Sequence, residues 1–197
     1  MSGFNEALIY VIQTLGSFYL LIVLLRFILQ LVRADFYNPL SQFIVRVTHP
    51  LLKPMRRVIP SLGTLDLSSL VLAIVIQLLL MVIVLLLMGY GPAGYILQLL
   101  VWSVLAVTSL FLKVFFFALI VSVILSWVAP GSHNPAAQLV QQICEPFLAP
   151  FRRILPNLGG LDISPIFAFM AINLLDRFVI ARLAAETGMP TILSPFM

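Results

Sequence analysis

The chain has 197 residues, of which 62% are hydrophobic and only 9% charged, with a formal net charge of +4. A soluble domain usually carries about 25% charged residues, so this composition excludes an ordinary water-facing surface and makes lipid the expected solvent. Eleven basic residues scattered among apolar stretches also make a poor nucleic-acid-binding face.

The lone cysteine, Cys144, can form neither an internal disulfide nor a metal cluster, and beside Ile143 it reads as packing. Residues 1–6 hold no Lys or Arg. The start therefore lacks the basic region of a signal peptide, and the first apolar stretch is expected to remain as an anchor.

In chain order, four stretches are long and apolar enough to cross a bilayer, which takes about 20 helical residues. The first, 7–32, carries Gln13, Ser17 and Arg26. The second, 67–88, has Gln77 as its one strongly polar member after the opening serines. An uncharged connection at 89–94 reads as a tight turn. The third stretch, 95–129, has Lys113 near its middle and exceeds one bilayer at about 1.5 Å per residue. It either tilts or starts with interfacial turns. The fourth, 163–185, contains Asn173, Asp176, Arg177 and Arg182.

The two halves repeat. A shift of 96 takes Asn38-Pro39 to Asn134-Pro135, Pro50 to Pro146, Pro54 to Pro150 and Arg56-Arg57 to Arg152-Arg153. It also takes Pro60 to Pro156, Gly63 to Gly159, Asp66 to Asp162 and Ser68 to Ser164. Between 38 and 69, 14 of 32 residues are identical without a gap, so the chain is an internal duplication. The units are 1–94 and 95–197. The same shift places the third span at about 103–128, with 95–102 as an interfacial lead-in. The expected fold is an all-α membrane protein of about four spans, as two parallel helix–loop–helix repeats, each loop holding a short amphipathic interfacial helix.

The first repeat loop holds Arg33, Arg46, Lys53, Arg56 and Arg57, and the second Arg152 and Arg153, while 1–6 and 89–94 hold no Lys or Arg. Basic excess marks the cytoplasmic side, so both loops are expected there. Arg177 and Arg182, near the opposite end, argue the other way.

Within each loop, Asn-Pro is an N-cap followed by a proline at the first helical position. Leu139, Val140, Ile143 and Phe147 form one apolar stripe, and Leu40, Phe43, Ile44 and Val47 form its counterpart. Pro50 and Pro54, with Pro146 and Pro150, are expected to break or kink these helices. Pro60, Gly63 and Asp66 then turn the chain back. Asp66 and Asp162, followed by Ser68 and Ser164, read as N-caps of the next span. An ion pair with the Arg pair, or an ion site, is compatible with that role. The Arg pairs themselves read either as contacts to lipid phosphate or as docking points for a partner or anionic ligand.

This doubled run of prolines, Arg-Arg, Gly, Asp and Ser, at 50–68 and 146–164, resembles the YggT (YlmG) family over nearly the whole chain, in its two-unit proteobacterial form. The resemblance implies a small bacterial inner-membrane protein with relatives in plastids. It implies neighbourhood with cell-division and envelope-upkeep genes, links to osmotic and potassium stress, and, in plastids, nucleoid distribution and cytochrome assembly. It carries over no catalytic residue. The first copy departs at Thr64, where the second has Gly160, and at Ser69, where the second has Pro165.

His49 and His133 stand alone, and no nucleophile elbow, phosphate loop or dinucleotide fingerprint is present. Neither an enzyme nor a cofactor is expected. The intramembrane polar set, Arg26, Gln77, Lys113, Asn173, Asp176 and Arg177, reads as interhelical bonding, with Lys113 and Asp176 a candidate pair, or as an ion path. The expected role is a scaffold or assembly factor docking through its loops. The alternative is a component of ion or osmolyte transport. Expected partners are the bilayer and its anionic head groups, and a membrane or cytoplasmic protein or a second copy of the chain.

Overall fold

A computed structural model describes residues 3–61, 63–129, 131, 134–154, 162–194 and 196. Every regular element among them is helical. Helix α1 spans Gly3–Leu31, α2 Pro39–Met55, α3 Leu67–Leu87, α4 Ile96–Val128, α5 Pro135–Ile154, α6 Ser164–Leu174 and α7 Ala181–Glu186. Among the described residues, three helical runs are long and apolar enough to cross a membrane: α1, α3 and the run Pro92–Val128 that contains α4. The 21 residues of α3 cover about 32 Å, close to one hydrocarbon core. Helix α4 is continuous from Ile96, after a single 3-10 turn at Pro92–Tyr95, so the expected lead-in at 95–102 is its first turns.

The fourth apolar stretch is also helical throughout, but irregular. A π segment, Leu175–Ile180, joins α6 to α7, and the Ala181 N–H bonds the Asp176 carbonyl five residues back. This widened turn surrounds the charged pair Asp176-Arg177.

Between the long helices lie α2 and α5, packed respectively against α1 and α3 and against α4 and α6. Helix α1 ends where Arg33 adopts a left-handed φ of 54° and the Ala34 N–H bonds the Leu29 carbonyl at 2.8 Å, reversing the chain toward α2. The prolines do not break the loop helices. Both α2 and α5 run through their two interior prolines. Spaced four apart, Pro50 and Pro54 fall on one exposed face, so the carbonyls they leave unbonded do not face the core. The apolar stripe of α2 is also rotated from the expected one. Ser41, Ile44, Thr48 and Leu52 are buried, while Leu40 and Phe43 face outward. The α5 stripe is as expected, with Leu139 and Ile143 buried and Val140 and Phe147 packed against the core.

One core joins the repeats. Leu20, Leu24 and Ile28 of α1 meet Leu72 and Ala73 of α3, and Phe115 and Leu119 of α4. Phe27, Phe111, Phe115 and Phe147 form a chain of ring contacts at 6.2, 4.9 and 4.1 Å, tying α1, α4 and α5. Beyond α7 the chain turns at Gly188 (φ 70°) and folds back into the bundle, burying Leu193 and Ser194. After a short 3-10 turn at Thr191–Leu193, its backbone carbonyls meet helix side chains. Gln13 donates to Ile192 at 2.5 Å, Gln77 to Leu193 at 3.4 Å and Ser109 to Phe196 at 3.1 Å. Irregular backbone at membrane depth is tolerated only when enclosed by protein in this way.

Helix α1 packs on α3 through Gly16, where an added Cβ would collide with the Leu80 side chain. Gly16→Val is expected to cost about 1–3 kcal/mol by overpacking, read as a lowered melting temperature of the detergent-solubilised protein. Adding Leu80→Ala should recover part of that loss.

Candidate functional site: the duplicated loop clasp

In the first repeat the loop closes on Asp66. This carboxylate is fully buried at the N-cap of α3. Oδ1 accepts from the Ser69 N–H at 3.3 Å, and Oδ2 accepts from the Ser69 hydroxyl at 2.7 Å. Arg56, just after α2, donates Nη2 to Oδ2 at 2.5 Å. Asp66 is therefore both a helix cap and half of an ion pair. Ser68 donates to the Ile59 carbonyl at 2.7 Å, fastening the connecting loop to the head of α3. Gly63 makes the turn between them at φ 61°. Burial pushes the Asp66 carboxyl up, but the Ser69 hydrogen bonds and Arg56 outweigh it and hold the group below the ordinary carboxylate range.

Arg26 completes this cluster from α1. It is buried, and its Nη1 donates to the Val45 carbonyl and to the Thr48 hydroxyl, both at 3.0 Å. Its Nε has no hydrogen-bond partner. Gln30, one turn further on, accepts from Arg56 at 3.4 Å. The intramembrane arginine of the sequence is thus a brace between α1 and α2.

The second repeat makes the same clasp in a more open form. Arg152 Nε donates to Asp162 Oδ2 at 2.9 Å, and Arg152 Nη1 donates to Glu145 Oε2 at 2.7 Å. Asp162 Oδ1 accepts from the Ser164 N–H at 2.9 Å. Here the Asp162 side chain is 41% exposed, against 0% for Asp66. Burial again opposes ionisation, and Ser164 with Arg152 again prevails, leaving Asp162 below its ordinary range. Thr48 corresponds to Cys144, which is buried in α5, and burial raises its thiol to about 12. Such a thiol is protonated and inert at neutral pH. Pro156 and Gly159 lie outside the described residues.

The second arginine of each pair behaves differently. Arg57 and Arg153 are exposed and have no ion-pair partner among the described residues. The two loops also touch. Asn38 Nδ2 donates to the Pro135 carbonyl at 2.7 Å, and the Asp35 N–H donates to Gln142 Oε1 at 3.0 Å. The entry to α2 and the first turns of α5 therefore meet. Asn38 meanwhile caps α2 by accepting from the Leu40 N–H, as Asn134 accepts from Ala136.

The intramembrane set is only partly brought together. Asp176 accepts from the Ser109 hydroxyl at 2.8 Å and forms no pair with Lys113. Asp176 lies opposite α4, and the short Ser109 reaches it. Asn173 donates to the Phe169 carbonyl within its own helix. Gln77 is buried with its Oε1 unbonded. Arg177 is exposed. The sequence reading did not include Gln13 and Ser109 as receivers of the returning tail. They occupy equivalent places, 96 residues apart, and that equivalence was the available signal. His49 is exposed, and no three His, Cys, Asp or Glu side chains converge among the described residues.

The differing burial of the clasps has a measurable consequence. Asp66→Asn should destabilise the protein by about 1.5–3 kcal/mol, the value of a charge-assisted bond in a buried site. Asp162→Asn should cost under about 1 kcal/mol, because solvent screens that pair. Both carboxyls have lowered pKa values in the folded protein. Their stabilisation is present above the unfolded value of about 3.9 and is lost as pH falls through the folded value. Acid titration of melting temperature should show this loss in the wild type and a smaller loss in Asp66→Asn.

Comparison with known proteins matches this arrangement. The CCB3/YggT family model matches twice, over residues 5–87 and 101–183, the same 96-residue offset as the clasps. An uncharacterized protein of Pseudomonas aeruginosa is 74% identical over the full length of both chains. Uncharacterized protein YggT of Escherichia coli is 34% identical over 93% of this chain and 95% of its own. YlmG homolog protein 2, chloroplastic, of Arabidopsis thaliana is 41% identical over 41% of this chain and 31% of its own. No solved structure matches. With a doubled family match and full-length relatives, this chain belongs to the CCB3/YggT family.

Proposed function

We propose that this protein is a non-enzymatic scaffold of the bacterial inner membrane, docking a partner protein through its paired loops. One observation carries the reading. In each repeat one arginine is bound to the repeat's own aspartate, while its neighbour, Arg57 or Arg153, projects free of any ion pair among the described residues. The clasp holds the loop in a fixed shape, and the exposed guanidinium offers a planar fork to a carboxylate or phosphate. Contact between the loops at Asn38 and Pro135 makes the two forks parts of one bivalent surface.

The topology that serves this role has four spans. Residues 164–186 correspond by the repeat to the region beginning at Ser68 and form a helical run about 35 Å long, enough to cross. An even number of crossings per repeat places both loops on the same side. Their basic residues assign that side to the cytoplasm.

Arg57→Ala with Arg153→Ala is expected to abolish capture of the docking partner from solubilised inner membranes, while membrane insertion and melting temperature stay unchanged. Capture at wild-type level would contradict the scaffold reading.

A second reading, ion or osmolyte transport, is favoured by one feature. Gln13, Gln77, Ser109 and Asp176 form a polar seam inside the bundle, with the returning tail lying on it. That reading requires potassium or sodium flux in liposomes containing the pure protein, lost in Asp176→Leu. Absence of flux from correctly inserted protein removes it.

A further inference from the structure

The two repeats share a clasp but close the space beside it differently. In the first, Arg26 and Gln30 extend from α1 toward α2 and Arg56, and both Leu52 and Asp66 are completely buried. Shifted by 96, these two positions become Ser122 and Ser126 on α4. Two long side chains are thus replaced by two short ones. Where they would lie, a cavity of about 740 Å³ opens between α4, α5 and α6, lined among others by Ser122, Ser126, Leu148, Arg152, Asp162 and Phe169. This volume is within the range of small-molecule sites, about 300–1,000 Å³.

The charge balance changes in the same place. The first cluster holds Arg26, bonded to α2, and the Arg56–Asp66 pair, a surplus of one positive charge. The second sets Arg152 against Asp162 and Glu145, a surplus of one negative charge. Glu145 stands where the first repeat has His49, and Ser122 where it has Arg26. The second repeat therefore lacks the cation on a long stem that the first supplies from its own helix. It keeps the clasp aspartate, Asp162.

The cavity walls describe the missing group. They combine Asp162, Arg152 and the serines Ser122 and Ser126 with the apolar Leu148, Ile163 and Phe169. Its rim carries the exposed side chains of Trp127 and Ile166. A fitting occupant has a cationic head and an apolar body, and a bilayer supplies that chemistry as an amine-headed phospholipid. Arg152 directs Nε and Nη1 to its two carboxylates, leaving Nη2 for a phosphate.

We propose that this cavity, which the side chains of α1 close in the first repeat, binds the head group of an ethanolamine phospholipid with its ammonium on Asp162. The site is independent of docking at Arg57 and Arg153, and either can fail without the other.

The test is lipid retention. Detergent-purified full-length protein is loaded with equal amounts of phosphatidylethanolamine and phosphatidylglycerol, and bound lipid is counted by native mass spectrometry. Wild type should retain one ethanolamine lipid, preferred by about fivefold, the value of one partly solvated ion pair. Ser122→Arg, which supplies the missing side chain, should lose that preference at unchanged melting temperature. Asp162→Asn should lose it too, and decides the matter if Ser122→Arg does not fold. Equal retention of the two lipids by wild type, preference for phosphatidylglycerol, or undiminished preference in folded Ser122→Arg or Asp162→Asn would overturn the proposal.

Discussion

The bond between an arginine ending the loop helix and an aspartate heading the next helix is the constraint on which the rest depends. A chain entering the bilayer must satisfy the first amide protons of its helix, and Asp66 does this for α3 through Ser69. A buried carboxylate must in turn be neutralised, and Arg56 does this from the end of α2. One side chain thereby fixes where α2 ends, how the loop turns and where α3 begins. Arg26 extends the arrangement to α1, so that the three helices of a repeat converge at one point.

Duplication gave the protein two such points and freed them to diverge. The first is sealed by long side chains from α1; the second has serines, an additional carboxylate and a cavity. The same exchange occurs deeper in the bundle. Gly16 and Leu80 pack in the first repeat, and the equivalent positions are Leu112 and Asp176, so large and small have changed sides. There the second repeat gains a carboxylate bonded to Ser109, in a helix that widens into a π turn around it. Each of these departures changes which polar groups the repeat carries, within a helical frame that both repeats share.

Much of this was legible in the sequence because its causes are local or periodic. Helical spans follow from length and hydropathy, and the duplication follows from invariant spacing of Pro, Arg, Gly and Asp. The family follows from the same residues. What sequence could not give was direction. Proline lacks a donor, which predicts a broken helix, but Pro50 and Pro54 lie on the outer face and α2 continues. Leu40 and Phe43 look like core residues, yet the need of Arg26 for Thr48 turns the opposite face inward. Lys113 and Asp176 are suitable by charge, but side-chain position, known only from packing, gives Asp176 to Ser109. The returning tail, with polar partners on three helices, depends on contacts more than 80 residues apart that no local pattern encodes.

The account stands most directly on the two clasps lying at the same membrane face, which requires residues 164–186 to form a fourth crossing. Single cysteines placed at Arg57, Arg153 and Tyr90 in a Cys144→Ser background can be probed with a membrane-impermeant maleimide, before and after opening the cells. The account predicts that positions 57 and 153 label only after opening and position 90 labels in intact cells. Labelling of 57 and 153 from opposite sides would contradict it.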